Sequence, residues 1–190
     1  VELVRNLAIS KAKNEWVLFI DPDERVSSEL AGEITSTISN NEKNYDGFYI
    51  KRRDYFLGKE LKHTEAGGIK LLRLAKRGSG MWTRRVHETW DVKGMVGTLE
   101  NSLHHYSHQT LSQFINSINY WSELHAQANF EEGKRSNLFK IIFWPKLKFF
   151  NNYFLRLGFL DGLHGFVFSI MMSLHSYLAW SKIWLTQRKK

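Results

Sequence analysis

The sequence predicts an α/β domain with a mainly parallel sheet, followed by a helical C-terminal region. Three observations carry that expectation. Trp16-Val17-Leu18-Phe19-Ile20 is an apolar run without charge or turn former, as expected of a strand buried on both faces inside a parallel sheet. Stretches of helical spacing stand on either side of it. The last third then changes texture: from Lys134 onward there are ten Lys and Arg against one acid, Asp161, interleaved with Phe, Trp and Leu. The net charge of +8 belongs to that third, since residues 1–133 hold 17 basic and 18 acidic residues.

Taken in order, Leu3, Val4, Leu7 and Ala8 recur at helical spacing and place a helix over 1–13. The apolar strand follows and ends at Asp21-Pro22-Asp23-Glu24, because Pro22 lacks a backbone donor. In open α/β sheets, ligands bind outside the carboxyl ends of strands. Asp21 and Asp23 can turn toward one hard cation, and carboxylate oxygens together with phosphates suit Mg²⁺ or Mn²⁺. The same acids equally suit a turn leading into a helix capped by Ser27 or Ser28. That helix spans 27–39, with Leu30, Ala31, Ile34 and Ile38 on one face and Asn40-Asn41 at its end. Asp46-Gly47 opens a strand over 47–53, Gly58 turns a hairpin within 56–61, and Gly67-Gly68 precedes a strand over 69–74.

Asn101 to His108 holds three His among five residues, which points toward metal, but alternation in an extended segment sends His104 and His105 to opposite faces. Thr110 to Glu132 reads as a helix capped by Thr110, with Leu111, Phe114, Ile115, Ile118, Trp121 and Leu124 on one stripe. Leu138 to Phe150 is aromatic and basic, and Pro145 is expected to break it. Gly162 to Ser181 is twenty residues without a charge, long enough to span a bilayer. His164, His175, the Ser and Gly residues and the abutting Asp161 weaken that run. Two helices lying in a membrane interface, joined near Gly158 to Gly165, fit better. The alternative is a helical hairpin covering the sheet domain. The basic–aromatic mix argues for an anionic membrane surface and against nucleic acid.

With no Cys, a disulfide scaffold and thiolate metal sites are excluded. The opening Val1-Glu2-Leu3-Val4-Arg5 shows neither the basic flank nor the apolar core of a signal peptide.

Arg5-Asn6-Leu7-Ala8, Ala12, and Trp16 through Val26 together resemble the central segment of family 2 glycosyltransferases of the GT-A fold. The resemblance is greatest to the lipopolysaccharide core-type, WaaE-like branch, and extends patchily to about Lys182. It implies a partial GT-A (Rossmann-like) domain with a mixed, mainly parallel sheet over 1–109, and a helical, membrane-peripheral region over 110–190. The strands that carry uracil- and ribose-binding acids are expected upstream of residue 1. Asp21 and Asp23 would hold Mg²⁺ or Mn²⁺ on the donor's diphosphate, with Arg5 and Asn6 beside it. Arg73-Leu74 and Val86-His87-Glu88 match the branch's acceptor-side pattern. Glu88 is the expected base, taking the acceptor hydroxyl's proton, with His87 as second candidate. The plainer reading pairs Glu88 with Arg84 or Arg85 and gives His87 to the backbone. Lys70, Arg73 and Trp82 are the acceptor-side candidates, Arg73 for its bidentate grip on phosphate.

The resemblance further assigns His105 as a third metal ligand, against an orienting or surface role, and leaves His104 and His108 outside the site. Gly158-Phe159-Leu160-Asp161-Gly162 matches a family motif in the joint between the last two helices. The implied function is transfer of a sugar, with inversion at C1, from a UDP- or ADP-sugar donor to a glycolipid, lipopolysaccharide core or related saccharide. The implied location is cytoplasmic, peripheral on the inner face of the cytoplasmic membrane. Two rivals stand beside it. One is a haloacid-dehalogenase-type phosphatase, which wants Thr or Val where Arg25 stands. The other is a non-catalytic membrane-binding module.

Overall fold

A computed structural model describes residues 2–83 and 89–188. The chain divides into two units, Val1–Arg53 with Gly68–His105, and Asp54–Gly67 with Tyr106–Lys190. The order of elements begins α1 (Glu2–Lys11), β1 (Trp16–Leu18), β2 (Glu24–Val26), α2 (Ser28–Ser39), β3 (Gly47–Phe56) and β4 (Lys59–Leu61). It continues with β5 (Lys70–Lys76), β6 (Gly80–Thr83), β7 (Thr89–Val92) and β8 (Val96–His108). Three helices close the chain: α3 (Leu111–Glu131), α4 (Leu138–Phe150) and α5 (Leu163–Arg188). The main sheet has the order β1-β5-β3-β8-β2, with β4 paired to β3, and β6-β7 form a separate ribbon.

In the first unit, alternation along β1 decides the layers. Trp16 and Leu18 join a core of Leu30, Phe48, Ile50, Leu74, Leu99 and Leu103, to which α2 adds Ile34 and Ile38. Val17 and Phe19 point the other way, into a core of Ile9, Ala75, Trp82 and Trp90. Burying side chains of this size stabilises by about 1.5–3 kcal/mol each. Ser27 caps α2 by accepting from Leu30 N–H at 3.2 Å.

The sheet is α/β and mixed, but it is not mainly parallel. β3 and β8 run in the same direction: Phe48 lies against Gly97 near their starts, and Leu57 N–H donates to His108 O at their ends. The registers of β1–β5, β3–β5, β3–β4 and β2–β8 are all antiparallel. β1 is three half-buried residues at the end of the sheet order, and Ile20 is 43% exposed. A short apolar run does not by itself tell a central parallel strand from a half-covered one.

In the second unit, Thr110 caps α3 through a capping box with Gln113. Phe56, Leu61, Phe114, Ile118, Phe168 and Met171 form the core. Lys182 on α5 donates to Asn119 O on α3 at 2.8 Å, and Ser173 on α5 donates to Pro145 O on α4 at 2.8 Å. α4 runs through Pro145 without breaking. Proline inside a helix costs about 3 kcal/mol. Here Pro145 is buried and its carbonyl is bonded to Ser173, and packing of the apolar flanks keeps the helix continuous. Among the described residues, no helix is long and apolar enough to cross a membrane.

Candidate active site

Asp21-Pro22-Asp23-Glu24 closes as a tight turn, with Asp and Pro in the first two places where such turns favour them. Glu24 N–H donates to Asp21 O at 2.9 Å, and Asp21 N–H donates back to Glu24 Oε2 at 2.9 Å. The Glu24 side chain is fully buried. A buried carboxylate requires a partner, and Arg73 is that partner: its Nη2 donates to Glu24 Oε1 at 2.8 Å and to Asp21 Oδ2 at 2.5 Å.

Arg73 reaches the turn because β5 carries a bulge. In the β3–β5 register Phe48 faces Leu74 while Tyr49 faces Leu72, so Arg73 is the extra residue. Its carbonyl accepts from Phe19 N–H at 2.8 Å. Bulges re-aim side chains next to active sites. From α1, Arg5 donates to Asp21 Oδ1 at 2.8 Å while its guanidinium lies 4.3 Å from the Trp82 ring centre. Half-burial opposes the charge of Asp21. Arg73, by attraction and hydrogen bond, then Arg5 and His105 outweigh it and hold the carboxyl below its ordinary value of 3.8.

Asp23, on the far side of Pro22, is more open. Its Oδ2 lies 3.3 Å from His105 Nε2, in an ion pair when the imidazole is protonated. The β2–β8 register explains why: Glu24 faces His105 and Arg25 faces His104, so of the two adjacent imidazoles only His105 shares the turn's side.

No family model matches the chain. The lipopolysaccharide core biosynthesis glycosyltransferase LpsC of Rhizobium meliloti (strain 1021) is 28% identical over 183 residues, covering 95% of this chain and 67% of that protein. An uncharacterized glycosyltransferase of Rickettsia typhi is 28% identical over 194 residues, covering 94% of this chain and 65% of its own. One from Rickettsia prowazekii is 28% identical over 193 residues, with the same coverages of 94% and 65%. The chain is similar to these glycosyltransferases over nearly its whole length. It spans about two thirds of the length of the curated relatives it matches.

The cluster gathers Arg5, Asp21, Asp23, Arg73 and His105 in one place and adds Glu24, which sequence reasoning passed over. The signal was available: an acid placed directly after Asp-x-Asp at the start of a strand needs a cation. The Asn6 amide bonds the Trp82 backbone, donating to Trp82 O at 3.0 Å and accepting from Trp82 N–H at 2.8 Å. Trp82 itself is buried, stacked on Trp90 with ring centres 5.6 Å apart, and presents no face to an acceptor. Arg73 is 5% exposed and held by two carboxylates, which removes it from acceptor binding. Lys70 opens β5 at an exposed position. Glu88 and His87 lie outside the described residues. His108 stacks on Phe114 at 4.2 Å in the second unit.

The family resemblance implies a divalent cation, and the donors of the cluster fit one only in part. Among the described residues no three metal-ligating side chains form a ready cage. Both Asp21 oxygens are taken by guanidinium groups. Asp23 and His105 are the pair that fits, one carboxylate and one imidazole, leaving room for phosphate oxygens.

Proposed function

We propose that this chain carries the diphosphate-facing part of a glycosyltransferase that moves a sugar from a nucleotide-sugar donor onto a lipopolysaccharide core or related glycolipid acceptor. The observation that carries it is the Asp21–Glu24 turn, locked by Arg5 and Arg73 so that Asp23 is turned toward His105. LpsC is named for lipopolysaccharide core biosynthesis, and the acceptor class is taken from that relative. A divalent cation, Mg²⁺ or Mn²⁺, held by Asp23 and His105, would supply Lewis-acid stabilisation to the departing diphosphate.

The chain's own residues then have separate tasks. Arg5 and Arg73 keep Asp21 ionised and the turn closed, so that Asp23 is presented in one geometry. His105 would hold the cation through an imidazole nitrogen. Glu88 remains the proposed base, with His87 beside it, and removal of the acceptor proton as the oxygen attacks C1 gives inversion. The proposed place of action is the inner face of the cytoplasmic membrane, where a lipid-borne acceptor is at hand.

Calorimetric titration of UDP and UDP-glucose, with and without Mn²⁺, tests this on the chain and on Asp23→Ala. Binding that requires Mn²⁺ and is lost in Asp23→Ala supports the reading. Absence of binding in this chain and in a version extended at its N-terminus overturns it in favour of a membrane module. The phosphatase rival predicts hydrolysis of a chromogenic phosphate ester that Asp21→Asn abolishes. Against it, the oxygens that would attack phosphorus are occupied by two arginines.

A further inference from the structure

α4 buries Pro145, and Asn152 in the turn that follows it is also buried, seven residues on and on the same side. Opposite that side, Phe139, Phe143, Leu147, Phe150 and Phe154 follow one another at three- and four-residue steps, and all five are exposed. Phe139 and Phe143 stack at 4.4 Å, and Phe150 and Phe154 lie 5.1 Å apart, so the stripe is continuous. It runs on into the joint between α4 and α5, where Leu160 is 58% and Leu163 73% exposed. Large apolar side chains left outward over this length mark an interaction surface.

The joint holds its shape while offering these side chains to solvent. Asp161, 3% exposed, accepts from Lys62 N–H at 3.2 Å and His63 N–H at 2.9 Å, and contacts His63 Nδ1 at 3.0 Å. Gly158 lies so close to Asn152 O that an added Cβ would sit 2.6 Å away, and Gly162 has φ +66°. The Gly158-Phe159-Leu160-Asp161-Gly162 motif therefore spends its Gly and Asp residues on the clamp and its apolar pair on the surface.

Charge selects the occupant. From Lys134 onward the one acid is Asp161, and it is buried, so Lys140, Lys146 and Arg156 border the stripe with no exposed acid between them. A second copy would bring like charge against like. An anionic phospholipid surface is complementary in both respects, since amphipathic helices rest in the headgroup boundary by apolar burial plus attraction to anionic lipid. We propose that the outward stripe of α4 and the α4–α5 joint rest on the surface of an anionic phospholipid bilayer. The proposal rests on the reading above, in which a lipid carries the acceptor.

Co-sedimentation with vesicles of phosphatidylcholine, alone or with phosphatidylglycerol added, tests it on the chain and on the double variant Phe143→Glu/Leu160→Glu. Both positions are exposed, so the melting temperature should stay unchanged. The expected result is binding to the anionic vesicles, weakened by salt and about 10-fold or more weaker in the variant. Equal sedimentation of both proteins, or none with the chain itself, overturns the proposal. So does a concentration-dependent dimer that the variant dissociates without any vesicle binding. Nucleotide-sugar calorimetry on this chain and on its N-terminally extended version separates the two readings: failure of both in the presence of vesicle binding removes the transferase reading and leaves the surface standing.

Discussion

Replacing Arg73 with Met keeps the length of the side chain and removes the cation shared by two carboxylates. Glu24 would then be fully buried with the Asp21 N–H as its remaining described donor. Breaking a buried pair from one side costs about 3–5 kcal/mol. The Asp21 side chain is 35% exposed, so its share of the loss is screened by water, and a total near 3 kcal/mol is expected. In the parent, the depressed carboxyl of Asp21 adds stability above its ordinary value of 3.8, which is lost as pH falls through the folded value. In Arg73→Met burial still opposes the charge while its largest opponent is gone, so this acid limb flattens or reverses. Urea unfolding followed by tryptophan fluorescence, from neutral to acid pH, measures both effects. Adding Glu24→Gln to Arg73→Met should restore about 1–2 kcal/mol relative to Arg73→Met alone, because the uncompensated buried charge is removed. A loss in Arg73→Met below about 0.5 kcal/mol, or strictly additive single losses, would refute the view of Arg73 as the shared partner of a buried acid.

Three further outcomes concern the scaffold. Glu33 on α2 accepts from Glu100 N–H at 2.6 Å and Asn101 N–H at 2.8 Å; burial opposes its charge, but these bonds hold its carboxyl below the ordinary 4.5. Glu33→Gln should cost about 1 kcal/mol at neutral pH, and the difference from the parent in urea midpoint should vanish as pH falls through the folded carboxyl's range. Gly165→Ala places a Cβ 1.9 Å from Gly158 O, a backbone atom that cannot step aside, and should lower stability by about 2 kcal/mol or more. Gly32→Ala, on α2 with nothing within 4 Å, should raise it by about 0.5–1 kcal/mol. Thermal melts of the two glycine variants check both signs.

How far the sequence could be read depended on the range of the interaction involved. Ser27 and Thr110 were legible as caps, and α2 and α3 as helices, because a cap and a stripe are decided within a few residues. The Asp21-Pro22-Asp23 turn was legible for the same reason. Strand direction was not: Trp16 to Leu18 shows its apolar character in the sequence, but its antiparallel neighbour lies more than fifty residues away. Arg73 and Trp82 were misassigned for a related reason. An Arg or Trp near a cleft serves a ligand as readily as it serves the core, and only long-range geometry shows Arg73 bound to Asp21 and Glu24, and Trp82 stacked on Trp90. Pro145 inside α4 went against a strong local rule because α5 packs over it.

The bulge in β5 ties two parts of the molecule to one position in the chain. Leu72 and Leu74 are two apart, yet they serve opposite cores, Leu72 beside Trp82 and Trp90 and Leu74 beside Leu30 and Phe48. Deleting the extra residue would make Leu72 and Leu74 neighbours, which simple alternation already sends to opposite faces, so both cores would keep their leucines while the acidic turn lost its cation. The extra residue therefore serves the acidic turn alone, since a strand one residue shorter would satisfy both cores.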